Sequence, residues 1–285
     1  MRLFALILVA TLWGCATVPP APTKTPSGVY DVGTGSRLTQ EQFRARIVAA
    51  DYVLVGESHD SAEDHALQLE VFRTMASHRR VALGMEMFQR PYQAALDAYV
   101  AGELDEAQML AQTEWESRWG FATELYRPLW QFARETSSPI LALNVRRELT
   151  KRVSAVGIAG LSDDERVDVV EIDLSREDYR SWLKDVFSGH GMQMDDAKFQ
   201  RFYEAQLLWD ETMADTAVAF RKSQPEEVAV LVVVGRGHVE HGWGIPSRIQ
   251  RRDPSASVLV LVRAAEPMTL EQAKQAKLAD ILVIP

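Results

Sequence analysis

Six short apolar runs, several without polar alternation, constrain this 285-residue chain more than any other feature. They fall at 52–55, 81–85, 140–143, 228–234, 258–262 and 281–284. A strand with one wet face alternates polar and apolar residues, whereas a strand covered on both faces need not. Helical stretches separate many of the runs, and parallel strands need such crossovers. The fold expected is α/β, with a mainly parallel central sheet flanked by helices and a large helical insertion. The first unit is the clearest. Its strand ends at Gly56, and Asp60 or Ser61 can cap a helix with Glu63 or Asp64 as capping-box partner. That helix runs to about Ser77. Between about 94 and 220 the balance shifts to helix. Trp115/Trp119 and Tyr126/Trp130 are spaced four apart. Phe199, Phe202, Gln206, Trp209, Met213, Ala217 and Phe220 trace an apolar stripe with one polar member. This region is read as the insertion, packed over the sheet of a single domain, 28–285.

The first residues read as a signal. Arg2 gives a positive start, and residues 3–13 form an apolar run too short to span a bilayer. Leu12-Trp13-Gly14-Cys15 resembles a lipobox, with Trp13 where a small residue is usual. An ordinary buried cysteine is the plain alternative, but Cys15 sits where cleavage would fall. The expectation is a signal peptide at 1–14, a palmitate-type lipid on Cys15, and a Pro-, Thr- and Ala-rich tether at 15–27. The chain would then sit on a membrane of the bacterial cell envelope. Ala16 lacks the Asp signal for inner-membrane retention, which favours the outer membrane. A lone cysteine excludes a disulfide framework and cysteine-based zinc sites. Removing 1–14 takes away only Arg2, so the net charge moves from −9 to −10. Such a chain is a poor nucleic-acid binder.

Two Gly-x-x-His turns stand where chemistry is expected. Gly56-Glu57-Ser58-His59 follows the strand at 52–55, and Gly235-Arg236-Gly237-His238 follows that at 228–234. Both lie at carboxyl ends of strands, the edge where open α/β sheets bind ligands. A pair of surface turn histidines is the bland alternative. Glu86 follows the strand at 81–85 among apolar neighbours, where a carboxylate needs a partner. It could orient His59 or His238, or share a metal with them. Asn144 and Arg146 follow the strand at 140–143; Arg146 could meet a carboxylate ligand, Glu57, or only a surface acid. His190, in Ser188-Gly189-His190-Gly191, could close over a pocket or simply be solvated. Gln206 needs a buried partner. No Gly-x-Ser-x-Gly elbow, His-Glu-x-x-His helix or Walker loop is present.

These motifs together resemble the ChaN-like haem-binding lipoprotein family over about residues 45–250. The residues that carry the resemblance are Gly56-Glu57-Ser58-His59, Glu86-Met87-Phe88-Gln89-Arg90-Pro91, Trp115/Trp119 and Tyr126-Arg127-Pro128-Leu129. Ala142-Leu143-Asn144, Gly189-His190, Ala205-Gln206-Leu207-Leu208-Trp209-Asp210 and the run 235–248 add to it. The family is also similar to a wider paired Gly-x-x-His group that includes erythromycin-esterase-like enzymes and metal-dependent proteases. The resemblance implies an iron-regulated, membrane-attached haem-binding protein of iron uptake, a homodimer with two haems face to face, and an outer-membrane haem or iron receptor as partner. It also implies a tyrosine on iron, since ferric haem accepts a hard phenolate. Seven tyrosines are present. Tyr126 ranks first because it lies in a matching segment, then Tyr203 and Tyr92. Trp115, Trp119, Met192 and Phe88 could supply an apolar wall, and Arg127 or Arg146 could meet propionates. Core packing is the ordinary alternative for each aromatic.

Haem binding without turnover is thus the leading expectation, with His59, Glu86, Tyr126, Arg146, His190, Gln206 and His238 as candidate cofactor contacts. The alternative is a metal-dependent hydrolase of esterase or protease type. His59, His238 and Glu86 would hold a divalent ion there, with Glu57 as general base.

Overall fold

The computed structural model describes residues 27–189, 195–265 and 267–285. Cys15, His190 and Met192 therefore lie outside the described residues.

Seven strands form one sheet: β1 (Gly28–Asp31), β2 (Tyr52–Glu57), β3 (Val81–Gln89), β4 (Ile140–Asn144), β5 (Ala229–Gly235), β6 (Val258–Arg263) and β7 (Ile281–Ile284). Their order is β1-β7-β6-β2-β5-β3-β4. Every pairing is parallel except β1 with β7. All six apolar runs are strands, so the α/β architecture read from them holds. The strand at the β1 edge was not expected. It is four residues long, Gly-Val-Tyr-Asp, and only its tyrosine is fully buried.

All residues of β2, β3 and β5 are buried, which is why they lack alternation. Their side chains still alternate in space. Val53, Val55, Leu83, Met85, Leu231 and Val233 point to one core, which the helices Ala62–Ala76 and Thr123–Glu135 cover. Tyr52, Leu54, Ala82, Val230 and Val232 point to the other, covered by the helices Asp196–Ser223 and Ile245–Arg252. The helix-rich stretch at 94–220 is thus divided by β4. Helices before β4 pack on the first face, and the long helix after it packs on the second.

Ser61 caps the helix after β2 by accepting from the Asp64 N–H. Asp64 does not reach back to the cap. Its carboxylate accepts the Ser58 N–H at 2.8 Å and so holds the first Gly-x-x-His turn. β3 runs on to Gln89 through a register shift against β4 between Met85 and Gln89. Glu86 sits in that irregularity, and irregular pairing of this kind re-aims side chains. Among the described residues, no helix is long and apolar enough to cross a membrane.

Candidate functional site

β2, β3 and β5 are neighbours in the sheet, so the two turns and Glu86 meet at one carboxyl edge. Glycine permits the contact. A Cβ on Gly56 would stand 2.7 Å from Val239 Cγ2 and 3.0 Å from Arg236 Cα, in the opposite turn. A Cβ on Gly235 would stand 2.9 Å from His59 Cε1 and 3.5 Å from Glu86 Oε2.

The first half of the site is built on Glu57, which is fully buried. Its carboxylate accepts from Tyr126 Oη at 2.9 Å, from His59 Nδ1 at 3.0 Å and from Gln68 Nε2 at 2.7 Å. His65 Nε2 donates to the His59 carbonyl at 3.2 Å. A buried carboxylate needs partners of this kind. With Nδ1 committed to Glu57, His59 presents Nε2 as its open nitrogen. Burial disfavours the imidazolium, but the Glu57 hydrogen bond and the Glu86 and Glu57 charges outweigh it and raise the His59 pKa. The ring lies against Trp119, 4.7 Å between centroids, and Phe121, 5.1 Å.

The second half is closed. His238 Nδ1 donates to Asp210 Oδ1 at 2.6 Å, and Nε2 lies 3.4 Å from Glu86 Oε1. Tyr179 Oη donates to the other Asp210 oxygen at 2.8 Å. Gln206 Nε2 donates to Tyr179 Oη at 3.2 Å and lies 3.1 Å from His238 Nδ1. Burial opposes charge on His238, yet the Glu86 and Asp210 carboxylates push its pKa up to about 10. Burial would raise the Glu86 pKa, but His238 and the Gly235 N–H, which donates at 2.6 Å, hold it down. His238 is therefore an imidazolium with both nitrogens engaged.

A cleft of about 360 Å³ opens beside these groups, lined by His59, Trp119, Trp209, Arg118, Arg147 and Asn144 among others. Asn144 Nδ2 donates to the Glu86 carbonyl at 3.1 Å. Glu57, His59, Glu86, Gln206 and His238 are thus brought together. Arg146 is not among them: it pairs with Asp168 at 2.8 Å, and Arg147 lines the cleft in its place. Arg127 pairs with Glu106 at 2.6 Å. Phe88 and Trp115 are core residues; among the described residues of the proposed wall, Trp119 lines the cleft.

The structure places the candidate tyrosines away from the open cleft. Tyr126 is fully buried and spends its hydroxyl on Glu57; burial, then the Glu57 charge, pushes its pKa well above the ordinary phenol range. Tyr203 is also buried and donates to the Arg176 carbonyl at 3.2 Å. Tyr92 is half-buried under the Arg118 guanidinium, 5.0 Å from its ring centroid.

The divalent-metal arrangement of His59, His238 and Glu86 is not supported either. Among the described residues, no group of three or more His, Cys, Asp or Glu could hold a metal ion. In this arrangement the His238 nitrogens face carboxylates, Nδ1 donating to Asp210 and Nε2 lying 3.4 Å from Glu86 Oε1.

Asp210, Tyr179, Gln68, His65, Arg118 and Arg147 escaped the sequence reading as site residues. Asp210 lies four places after Gln206, so the two share a helical face, and that spacing was the available signal.

The chain is 26% identical over 264 residues to Protein RETICULATA-RELATED 5, chloroplastic, of Arabidopsis thaliana; the match takes in 86% of this chain and 35% of that protein. The chain thus spans about a third of the length of that relative. Among solved structures, ChaN of Campylobacter jejuni, described with cofacial haem binding, is 20% identical with a TM-score of 0.69, over 90% of this chain and 95% of that one. At that identity the likeness speaks for the fold. Erythromycin esterase EreC in its open conformation is more distant, 11% identical with a TM-score of 0.47, over 83% of this chain and 76% of that one. Residues 43–249, most of the chain, match the family described as haem-binding uptake, Tiki superfamily, ChaN, and the protein belongs to that family.

Proposed function

We propose that this protein binds haem at the cleft and serves haem or iron uptake or storage. The observation that carries the reading is His59: within a ChaN-family chain, its open Nε2 stands at a cleft edged by Trp119 and Trp209 and flanked by Arg118 and Arg147. The residues fit the group. Trp119 lines the cleft with its indole ring, packed on His59 at 4.7 Å between centroids. A volume of about 360 Å³ falls within the ~300–1,000 Å³ common for small-molecule sites. Haem, once bound, supplies the iron and its redox chemistry. The chain's own residues do the rest: Glu57 fixes the His59 tautomer, the indoles give apolar contact, and the arginines suit propionates. A lipid on Cys15, the outer membrane as address, a homodimer and a receptor partner belong to the same proposal. The test is a haem titration of the full chain, followed by absorbance and by size in solution. Saturable binding with a shifted Soret band is expected; no spectral change would overturn the reading.

A second reading is favoured by the Glu57–His59 pair beside a fixed imidazolium. There His59 takes a proton from water attacking an ester or amide, and the guanidinium of Arg147, which lines the same cleft, is the positive group for the developing negative charge. No divalent ion is required. Because the His59 pKa is raised, the base form grows only as pH climbs past the ordinary imidazole range. Turnover of an ester library should rise with pH through that limb and vanish in His59→Gln. Turnover indifferent to that substitution would remove this reading.

A further inference from the structure

Gln89 is the last residue of β3, and it is buried. The register shift between Met85 and Gln89 sets it opposite Asn144 of β4. It lines the cleft together with His59, Arg118 and Arg147. Its Oε1 accepts twice, from Arg118 Nη1 at 2.9 Å and from the Arg147 N–H at 3.0 Å. Both partners are donors, so the oxygen and not the NH₂ of the amide must face them. The second bond also closes a helix end. Arg147 opens the helix Arg147–Val156, whose N-cap residue, Arg146, makes no side-chain cap bond. The first N–H groups of a helix have no partner within it, and Gln89 supplies one from another element. A single buried oxygen thus fixes the guanidinium of Arg118 and the backbone that carries the Arg147 side chain.

The acceptor is neutral, and its neutrality bears on what the cleft can select. A carboxylate at this position would hold the same donors and would also cancel the Arg118 charge inside the protein. The acids that do reach Arg118 are Glu114 at 2.9 Å and Glu148 at 3.0 Å, with side chains 50% and 60% exposed. Water screens pairs of that kind, so they leave Arg118 able to take another anion. Arg147 Nη1 donates to the Ser117 carbonyl, a neutral partner. The cleft therefore presents two held guanidinium groups, and a guanidinium matches a carboxylate in charge and in the geometry of its donors. We propose that Gln89 is the positioning residue that makes the cleft select a ligand bearing an ionised carboxylate over the same ligand with that acid masked. The inference rests on the haem reading above, in which the propionates are the acids.

The test compares two probes that differ only in that acid, haem and haem dimethyl ester, each titrated into the full chain in the same detergent and followed by absorbance. The wild-type chain should bind haem roughly tenfold more tightly than the ester. Gln89→Leu removes the acceptor. Gln89→Glu keeps both contacts and neutralises Arg118. Each should bring the preference for the free acid close to one while the affinity for the ester stays as it was. Gln89→Glu decides the matter if Gln89→Leu does not fold. Equal weakening of both probes in Gln89→Leu would reveal a structural role and overturn the inference, and so would an undiminished preference in the two variants. A wild-type chain that binds haem and ester alike would overturn it too, with the haem reading left standing. A wild-type chain that binds neither would end both.

Discussion

His238 is charged inside the protein because two carboxylates make it so. Its folded pKa, about 10, lies above the ordinary 6.5. The stabilisation this represents is complete below the unfolded value and is lost as pH rises through the folded one. Urea unfolding should therefore show stability falling between about pH 6.5 and 10, with a flatter profile in His238→Gln. Asp210→Asn removes one partner of this buried pair and should cost about 3–5 kcal/mol in the same assay. The histidines were legible in the sequence because each stands in a glycine turn after an apolar run. Asp210 was not, because one acid on a 28-residue helix looks like any solvated acid. Tyr126 was legible as an important residue, but not its partner Glu57: the pattern of a helix does not say whether a hydroxyl faces a cleft or a carboxylate.

At the scale of elements, the site depends on turns being able to touch. Gly56→Ala would drive a methyl into Val239 and the Arg236 backbone. It should destabilise by about 1–3 kcal/mol and weaken ligand binding, readable by thermal unfolding and titration of one preparation. The second face depends on Glu211, fully buried on the helix Asp196–Ser223. It accepts from Arg251 at 2.8 Å and from Arg252, and it lies 3.2 Å from Arg248 Nε. All three arginines belong to the helix Ile245–Arg252. Glu211→Gln leaves those charges uncompensated and should cost about 3–5 kcal/mol by urea unfolding, with the second Gly-x-x-His turn loosened. The six strands from β2 to β7 could be read from their apolar runs, because burial removes alternation. β1 could not: it is a short edge strand whose pairing to β7 is a long-range fact.

The whole molecule is a sheet with two cores and its chemistry along one edge. Membership of the ChaN family, which the motifs suggested, rests on residues spread from 43 to 249, so it is a property of most of the chain rather than of one motif. The homodimer proposed above is a statement at this scale too. Sedimentation with and without haem should show a haem-dependent increase in mass, and an unchanged monomer under saturating haem would count against it.

The antiparallel start of the sheet has a consequence for orientation. Gly28 pairs with Ile284, at the carboxyl end of β7, and Ser27 Oγ donates to the Pro285 carbonyl at 2.6 Å. The chain therefore enters its fold on the same rim that carries the cleft. β1 stands three strands from β2, roughly 14 Å at ordinary strand spacing. If Cys15 bears a lipid, the 15–27 segment extends at most about 45 Å. Such a leash would join the fold on the cleft rim, which keeps the cleft entrance within tether reach of the bilayer.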